Sequence, residues 1–290
     1  MLLLDSLFLI ILMLLPLGLV VVFITYNKKR LHNLRKNPIN SDLLRSPGES
    51  LWEKIEELKL DIDSYLTILP VAPLLLYITY LKSSQSTLVS SLLLLLGILI
   101  TGIATYKLSN LVNTKHKLAL GYDAELSVGQ ELNTLMREGY YVYHDFPFDN
   151  FNIDHIVVGE TGIFAVETKG RSKPILSKGK AEYKLKYDGK QLIFPNWTET
   201  KPLEQTTRQA ITLQKWLSSA IGETIQVTPV LAIPGWYIER TYSQGILVIN
   251  GKNPLNVIGK NTSNVLNKKI IAQIIHQLEQ RCRTVKPQAK

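Results

Sequence analysis

Before residue 107 the chain carries its longest apolar stretches, arranged in three runs. Ser6–Tyr26 is uncharged, rich in Leu, Ile and Val, and about 21 residues long, enough to cross a bilayer core as a helix. Leu88–Tyr106 is equally convincing and includes the unbroken leucines 92–96. Tyr65–Leu81 is charge-free but shorter, and it carries Pro70 and Pro73. Spanning helices tolerate proline more readily than soluble ones do. Asp5 is the only charged side chain before the first run, and no small-x-small cleavage site follows it. That run therefore reads as a retained anchor rather than a cleaved signal.

Loop charge gives the orientation. Lys28, Lys29, Arg30, Arg35 and Lys36 follow the first run, and Lys107, Lys115 and Lys117 follow the third. The short tip between the second and third runs has only Lys82. By the positive-inside rule, the 27–64 loop and everything after 107 lie on the cytoplasmic face of the cell membrane. The expected organisation is a membrane region, 1–114, with about three transmembrane helices (6–26, 65–81 and 88–106) around a cytoplasmic loop, 27–64. A cytoplasmic domain, 115–290, follows. The lipid bilayer is thus one expected partner. Within the loop, Ser50-Leu51-Trp52-Glu53 reads as a capping box that opens a helix through about Tyr65.

The whole-chain averages conceal these two regimes: 46% hydrophobic residues, 20% charged, mean hydropathy +0.06. A net charge of +9 and a pI near 9.4 fit an anionic partner, either nucleic acid or a membrane surface. The single Cys282 excludes an intramolecular disulfide, and no CxxC or Cys/His cluster suggests zinc. No Walker-type phosphate loop or hydrolase nucleophile motif is present. Neither a nucleotide motor nor an acyl-transfer enzyme is supported.

From Lys117 the pattern becomes that of an α/β domain. Gly121–Glu138 predicts a helix, with Ala124, Val128, Leu132 and Leu135 on one side and Gly139 as its stop. Tyr140–Phe148 predicts a strand, and Lys180–Phe194 a hairpin turned at Asp188-Gly189. Pro202–Ile221 and Asn264–Arg281 are amphipathic helices, and Thr228–Ile233 and Ile246–Ile249 are short runs of buried-strand type. This order suits a mixed sheet flanked by helices.

The chemistry concentrates in Asn152–Gly170, NIDHIVVGETGIFAVETKG. Two apolar runs joined by Gly159-Glu160-Thr161-Gly162 read as a β-hairpin. Glu167 and Lys169 share one strand face while Val166 and Thr168 take the other, and Asp154 joins the first pair if the register allows. Two carboxylates and an ammonium among apolar neighbours are costly unless paired or bound to a metal. His155 points away from Asp154 and reads as a packed residue; the other four histidines support no triad.

Asp154 followed by Glu167-Thr168-Lys169 has the D…E-x-K spacing of the PD-(D/E)xK nuclease superfamily. With Gly121-Tyr122-Asp123-Ala124-Glu125, Val128, Leu132, Ile153-Asp154-His155, Gly162, Val166 and Gln205, the segment from about Lys117 to about Leu217 resembles the nuclease-related domain (NERD) family. Ala124 stands where that family usually has a glycine.

The resemblance implies a restriction-endonuclease-like mixed sheet and a divalent-metal-dependent nuclease acting on nucleic acid, with DNA the expected substrate. It implies Mg²⁺, or Mn²⁺, held by Asp154 and Glu167, with Glu125 at a second metal or its water shell. Lys169 would orient water or stabilise the phosphorane, and Gln205 would hold substrate or water. Arg171, Lys173, Lys184, Lys186 and Arg208 are the candidates for contact with the phosphate backbone. The rival for the cluster is a structural salt bridge, and the rival for the lysines is a solvated edge hairpin. A rival for the whole is a non-cleaving, membrane-tethered nucleic-acid-binding or scaffolding module on the same fold.

Overall fold

The computed structural model describes residues 15–16, 18–27, 29–30, 38–39, 41–82, 87–175, 182–242, 245–260 and 265–287. Residues 6–14 and 17 of the first apolar run, the tip at 83–86, and Lys28, Arg35, Lys36, Lys178 and Lys180 lie outside them. The described residues form two compact units. One draws on Met1–Leu43, Asp63–Leu108 and Val285–Lys290, the other on Leu44–Ile62 and Ser109–Thr284.

The first unit holds helix α1 (Gly18–Asn27) and the apolar parts of α2 (Glu49–Lys82) and α3 (Thr87–Asn133). Leu66, Leu74, Leu94 and Ile98 are among many large apolar side chains left exposed there. By length and composition alone, α2 and α3 each include a stretch able to cross a membrane. The sequence predicts breaks near Tyr65 and before Gly121, and the structure has neither. Pro70 and Pro73 sit inside α2, and residues 107–120 contain no Gly or Pro to interrupt the α3 ladder. The capping box is also displaced. Glu49 Oε2 accepts from the Ser46 N–H at 3.4 Å, so the Ser-x-x-Glu pair at the start of α2 is Ser46–Glu49, four residues earlier.

The second unit is built on a five-stranded mixed sheet. Short β1 (Leu43–Leu44) pairs with β11 (Arg283–Val285) elsewhere. The main sheet takes β2 (Tyr141–Pro147), β3 (Asn152–Gly159), β4 (Gly162–Thr168), β8 (Val227–Ala232) and β10 (Leu247–Ile249), in the order β10-β8-β4-β3-β2. A smaller sheet takes β5 (Lys184–Tyr187), β6 (Leu192–Ile193), β7 (Thr198–Glu199) and β9 (Tyr237–Arg240), in the order β7-β6-β5-β9. Central β4 is buried along its whole length, antiparallel to β3 and parallel to β8. A strand covered on both faces needs a continuous apolar run, and Ile163–Val166 supplies it. The β3–β4 turn closes on Gly159, where a Cβ would lie 2.3 Å from the Tyr140 ring.

Helices cover both faces of the main sheet. Leu213 and Leu217 of α4 (Lys201–Ile221) and Ile274 and Leu278 of α6 (Lys268–Cys282) pack with Ile156, Ile163 and Ala165. On the other face Val128 and Leu132 of α3 meet Val157, Phe164 and Val166, with Ile258 of α5 (Leu255–Ile258). A third cluster joins Leu185, Tyr187, Leu192 and Trp236 of the small sheet region to Leu231 and Val248. Two faces so covered leave the strand ends as the place where polar side chains can gather.

Candidate active site

The β3–β4 register pairs His155 with Val166, so one step further along Asp154 stands opposite Glu167. The alternation of β4 sends Ile163 and Ala165 into the α4 face of the sheet and Phe164 and Val166 into the α3 face. Glu167 follows the first pair and meets α4: Gln205 Nε2 donates to Glu167 Oε1 at 2.7 Å. Lys169, two residues on, also gives an Nζ hydrogen bond to Glu167 Oε1. Asp154 Oδ2 accepts from the Thr168 N–H at 2.6 Å, and the Lys169 N–H continues onto the Ala232 carbonyl at 2.9 Å. Glu125 is buried on α3, within electrostatic reach of Glu167 and Lys169. Asp154, Glu167, Lys169, Gln205 and Glu125 are thus brought to one end of the central hairpin.

The electrostatics are those of crowded acids in a dry setting. Glu167 is almost fully buried, and Lys169 keeps part of its surface. Burial pushes Glu125 up to about 8, helped by the charges of Asp145 and Glu167 and opposed by Lys169 and Lys54. Burial also pushes Asp154 well above the usual carboxylate range, with Glu167 and Glu125 adding to the rise. Its hydrogen bond from Thr168 and the charge of Lys169 act the other way.

These groups fit a hard divalent cation by their chemistry. Glu167 Oε1 is held by Lys169 and Gln205, while its buried Oε2 has no hydrogen-bond partner. An orphaned carboxylate oxygen, with the carboxyl groups of Asp154 and Glu125 within electrostatic reach, is the hard-oxygen chemistry that Mg²⁺ or Mn²⁺ takes. Among the described residues, however, no three His, Cys, Asp or Glu side chains converge closely enough to hold an ion as they stand. Lys169 bridges to Glu167, and Asp154 is turned to the backbone N–H of Thr168.

The expected phosphate contacts are dispersed. Arg171 is committed to Glu199 by two parallel hydrogen bonds, Nε to Oε1 at 2.8 Å and Nη2 to Oε2 at 2.7 Å. Lys173 Nζ lies 6.0 Å from the Trp236 ring centre. Lys184 and Lys186 are exposed on β5, which is an inner strand and not the sheet edge the hairpin pattern suggested. Tyr187, interleaved with them in sequence, is buried. Arg208 is exposed on α4, in a groove with Thr207, Ile211 and Lys215.

Two polar centres escape a reading of the sequence. Asp145 interrupts the β2–β3 ladder with φ 46 and is buried. Its carboxylate accepts from Arg45 Nε (2.8 Å) and Nη2 (2.5 Å), from the Ser50 N–H (2.8 Å) and hydroxyl, and from Asn152 Nδ2 (2.8 Å). Ser50 therefore serves Asp145 and not a capping box. The second centre is a buried histidine pair, set opposite each other by the β2–β3 register: His144 Nδ1 and His155 Nδ1 are 2.9 Å apart, and His144 Nε2 is 3.0 Å from Asn133 Oδ1. Burial lowers both, His144 to about 4. His155 is packed, as its place behind Asp154 predicts, and His144 is its partner instead of a scattered residue.

A mixed α/β domain with a carboxylate–ammonium–amide cluster at one end of its central hairpin is the class that fold and site define. Residues 120–234 match the family model of the nuclease-related domain (NERD), a segment that contains all five cluster residues. No curated protein and no solved structure matches the chain. Over that segment the chain is similar to the nuclease-related domain.

Proposed function

We propose that the chain is a membrane-anchored, divalent-metal-dependent nuclease that hydrolyses phosphodiester bonds, with the 115–290 domain in the cytoplasm and DNA as its substrate. The observation that carries the proposal is Glu167: one oxygen held by Lys169 and Gln205, the other buried without a partner, at the strand end where Asp154 and Glu125 also arrive. Asp154 and Glu167 are the metal ligands, and Glu125 joins them or their water shell once it loses its proton. A bound Mg²⁺ or Mn²⁺ supplies acidified, positioned water and offsets charge on the phosphoryl oxygens. Lys169 carries the ammonium that steadies the attacking water or the developing phosphorane charge. Gln205 fixes the Glu167 rotamer, so that the same carboxylate is presented at every turnover. The outward-facing apolar side chains of α2 and α3 support the anchor, because such a surface is stable only against hydrocarbon or protein.

The non-cleaving binding module remains the second reading, and one observation favours it: Lys169 closes onto Glu167 as an ion pair that needs no metal. The test is the full-length chain in detergent with end-labelled DNA and RNA in Mg²⁺, Mn²⁺ or EDTA. Cleavage that requires the metal supports the nuclease. Binding without cleavage in every condition favours the module.

A further inference from the structure

The small sheet presents an outer face that the catalytic cluster does not use. Along β5 the pattern is exposed, buried, exposed, buried, so Lys184 and Lys186 project together while Leu185 and Tyr187 enter the core. Parallel pairing with β9 sets Lys184 beside Tyr237 and Lys186 beside Glu239 on that same face. Tyr237 is 58% exposed and Tyr183 51% exposed, and the two rings meet edge to face, 6.5 Å apart at 74°. Among the described residues neither lysine has an ion-pair partner within 4.0 Å. Two solvent-facing aromatic rings beside two ammonium groups free of carboxylate partners among the described residues form the combination that binds stacked bases and phosphates.

The face also connects to the site. From Lys169 the chain runs through Gly170 and Arg171, whose carbonyl accepts from Trp236 Nε1 at 3.0 Å, and Tyr237 is the next residue. The Tyr237 N–H in turn bonds the Tyr183 carbonyl at 2.8 Å. The tyrosine pair is therefore fixed to the segment that leaves the cluster.

We propose that this face is the track for an unpaired nucleic-acid strand, with Tyr183 and Tyr237 stacking bases and Lys184 and Lys186 meeting phosphates. The proposal rests on the nuclease reading above and makes its substrate single-stranded. Charge selects an anion, and exposed rings select one with accessible aromatic faces. A duplex hides its base faces within its own stack, whereas a single strand offers them. Glu239, beside Lys186, weakens the track and limits how tightly a strand is held.

The test is fluorescence anisotropy with the full-length chain in detergent and EDTA, using a labelled 20-nucleotide single strand, as DNA and as RNA, and the corresponding DNA duplex. Wild type is expected to bind the single strand more tightly than the duplex. Replacing both Tyr183 and Tyr237 by Ala is expected to weaken single-strand binding about tenfold or more and leave duplex binding in place. Replacing both by Phe keeps the rings and should keep the affinity, which separates stacking from a folding defect. Glu239→Gln should tighten binding. Equal affinity for single strand and duplex, or single-strand binding untouched by the double Ala variant, would overturn the proposal. Metal-dependent cleavage that persists in such a case leaves the nuclease reading standing; a single-strand preference lost in the Ala variant without any cleavage leaves the track standing and sinks hydrolysis.

Discussion

Gln205 on α4 donates a 2.7 Å hydrogen bond to Glu167 Oε1 on β4, joining two residues 38 positions apart and tying a helix to the strand that bears the cluster. Glu167 is almost fully buried, so that donor satisfies a carboxylate with little water to turn to.

Gln205→Leu should therefore cost about 1–3 kcal/mol of stability, the usual range for depriving a buried acceptor of its donor. Thermal unfolding in detergent reads this directly. A variant as stable as wild type would mean that Lys169 alone satisfies Glu167.

Glu125 predicts a pH dependence. Burial raises it to about 8 from 4.5, so between those values the folded chain keeps a proton that the unfolded chain has released. Its stabilising contribution is complete below 4.5 and is lost as pH rises through about 8. Glu125→Gln removes the titration, and its stability should fall less than wild type's over that interval. Parallel pH–stability curves for the two would contradict the assignment.

The histidine pair predicts the opposite slope at lower pH. His144 is lowered to about 4 from 6.5, so the folded chain binds fewer protons than the unfolded chain between those values. Its contribution is present above 6.5 and is lost as pH falls through about 4. In His144→Gln the stability difference between neutral and mildly acidic buffer should shrink. An unchanged difference, followed by chemical denaturation, would locate the acid sensitivity elsewhere.

Asp145 combines a left-handed backbone with a buried ion pair to Arg45. Asp145→Ala should cost about 3–5 kcal/mol, because it leaves a largely buried guanidinium without its counter-ion. Asp145→Asn should cost less, since Asn accepts φ above zero and keeps one acceptor oxygen. Asp145→Val, which loses both the acceptor and the backbone tolerance, should be the worst of the three. Equal losses in the Asn and Val variants would show that the backbone conformation contributes nothing.

What the sequence made legible was local. The Gly-linked hairpin, the Asp188-Gly189 turn, the helix stop at Gly139 and the amphipathic α4 all follow from spacing and turn chemistry, and each appears in the structure. The convergence of Glu167, Lys169 and Gln205 follows from strand alternation plus the family resemblance. The missed features depend on contacts no periodicity encodes. Arg45 reaches Asp145 across 100 positions, and His144 finds His155 only once the register is known. Arg171 looked free because its partner Glu199 is 28 residues away. The continuity of α3 was hidden by a change of composition near Lys107, which alters the surroundings of a helix without breaking its hydrogen bonds.

The most direct measurement is the cleavage rate of labelled DNA in Mg²⁺ by wild type, Asp154→Asn and Lys169→Met, each checked for an unchanged unfolding temperature. The account predicts cleavage by wild type that EDTA abolishes, and a loss of about a hundredfold or more in each variant. Cleavage at the wild-type rate by either folded variant would contradict it.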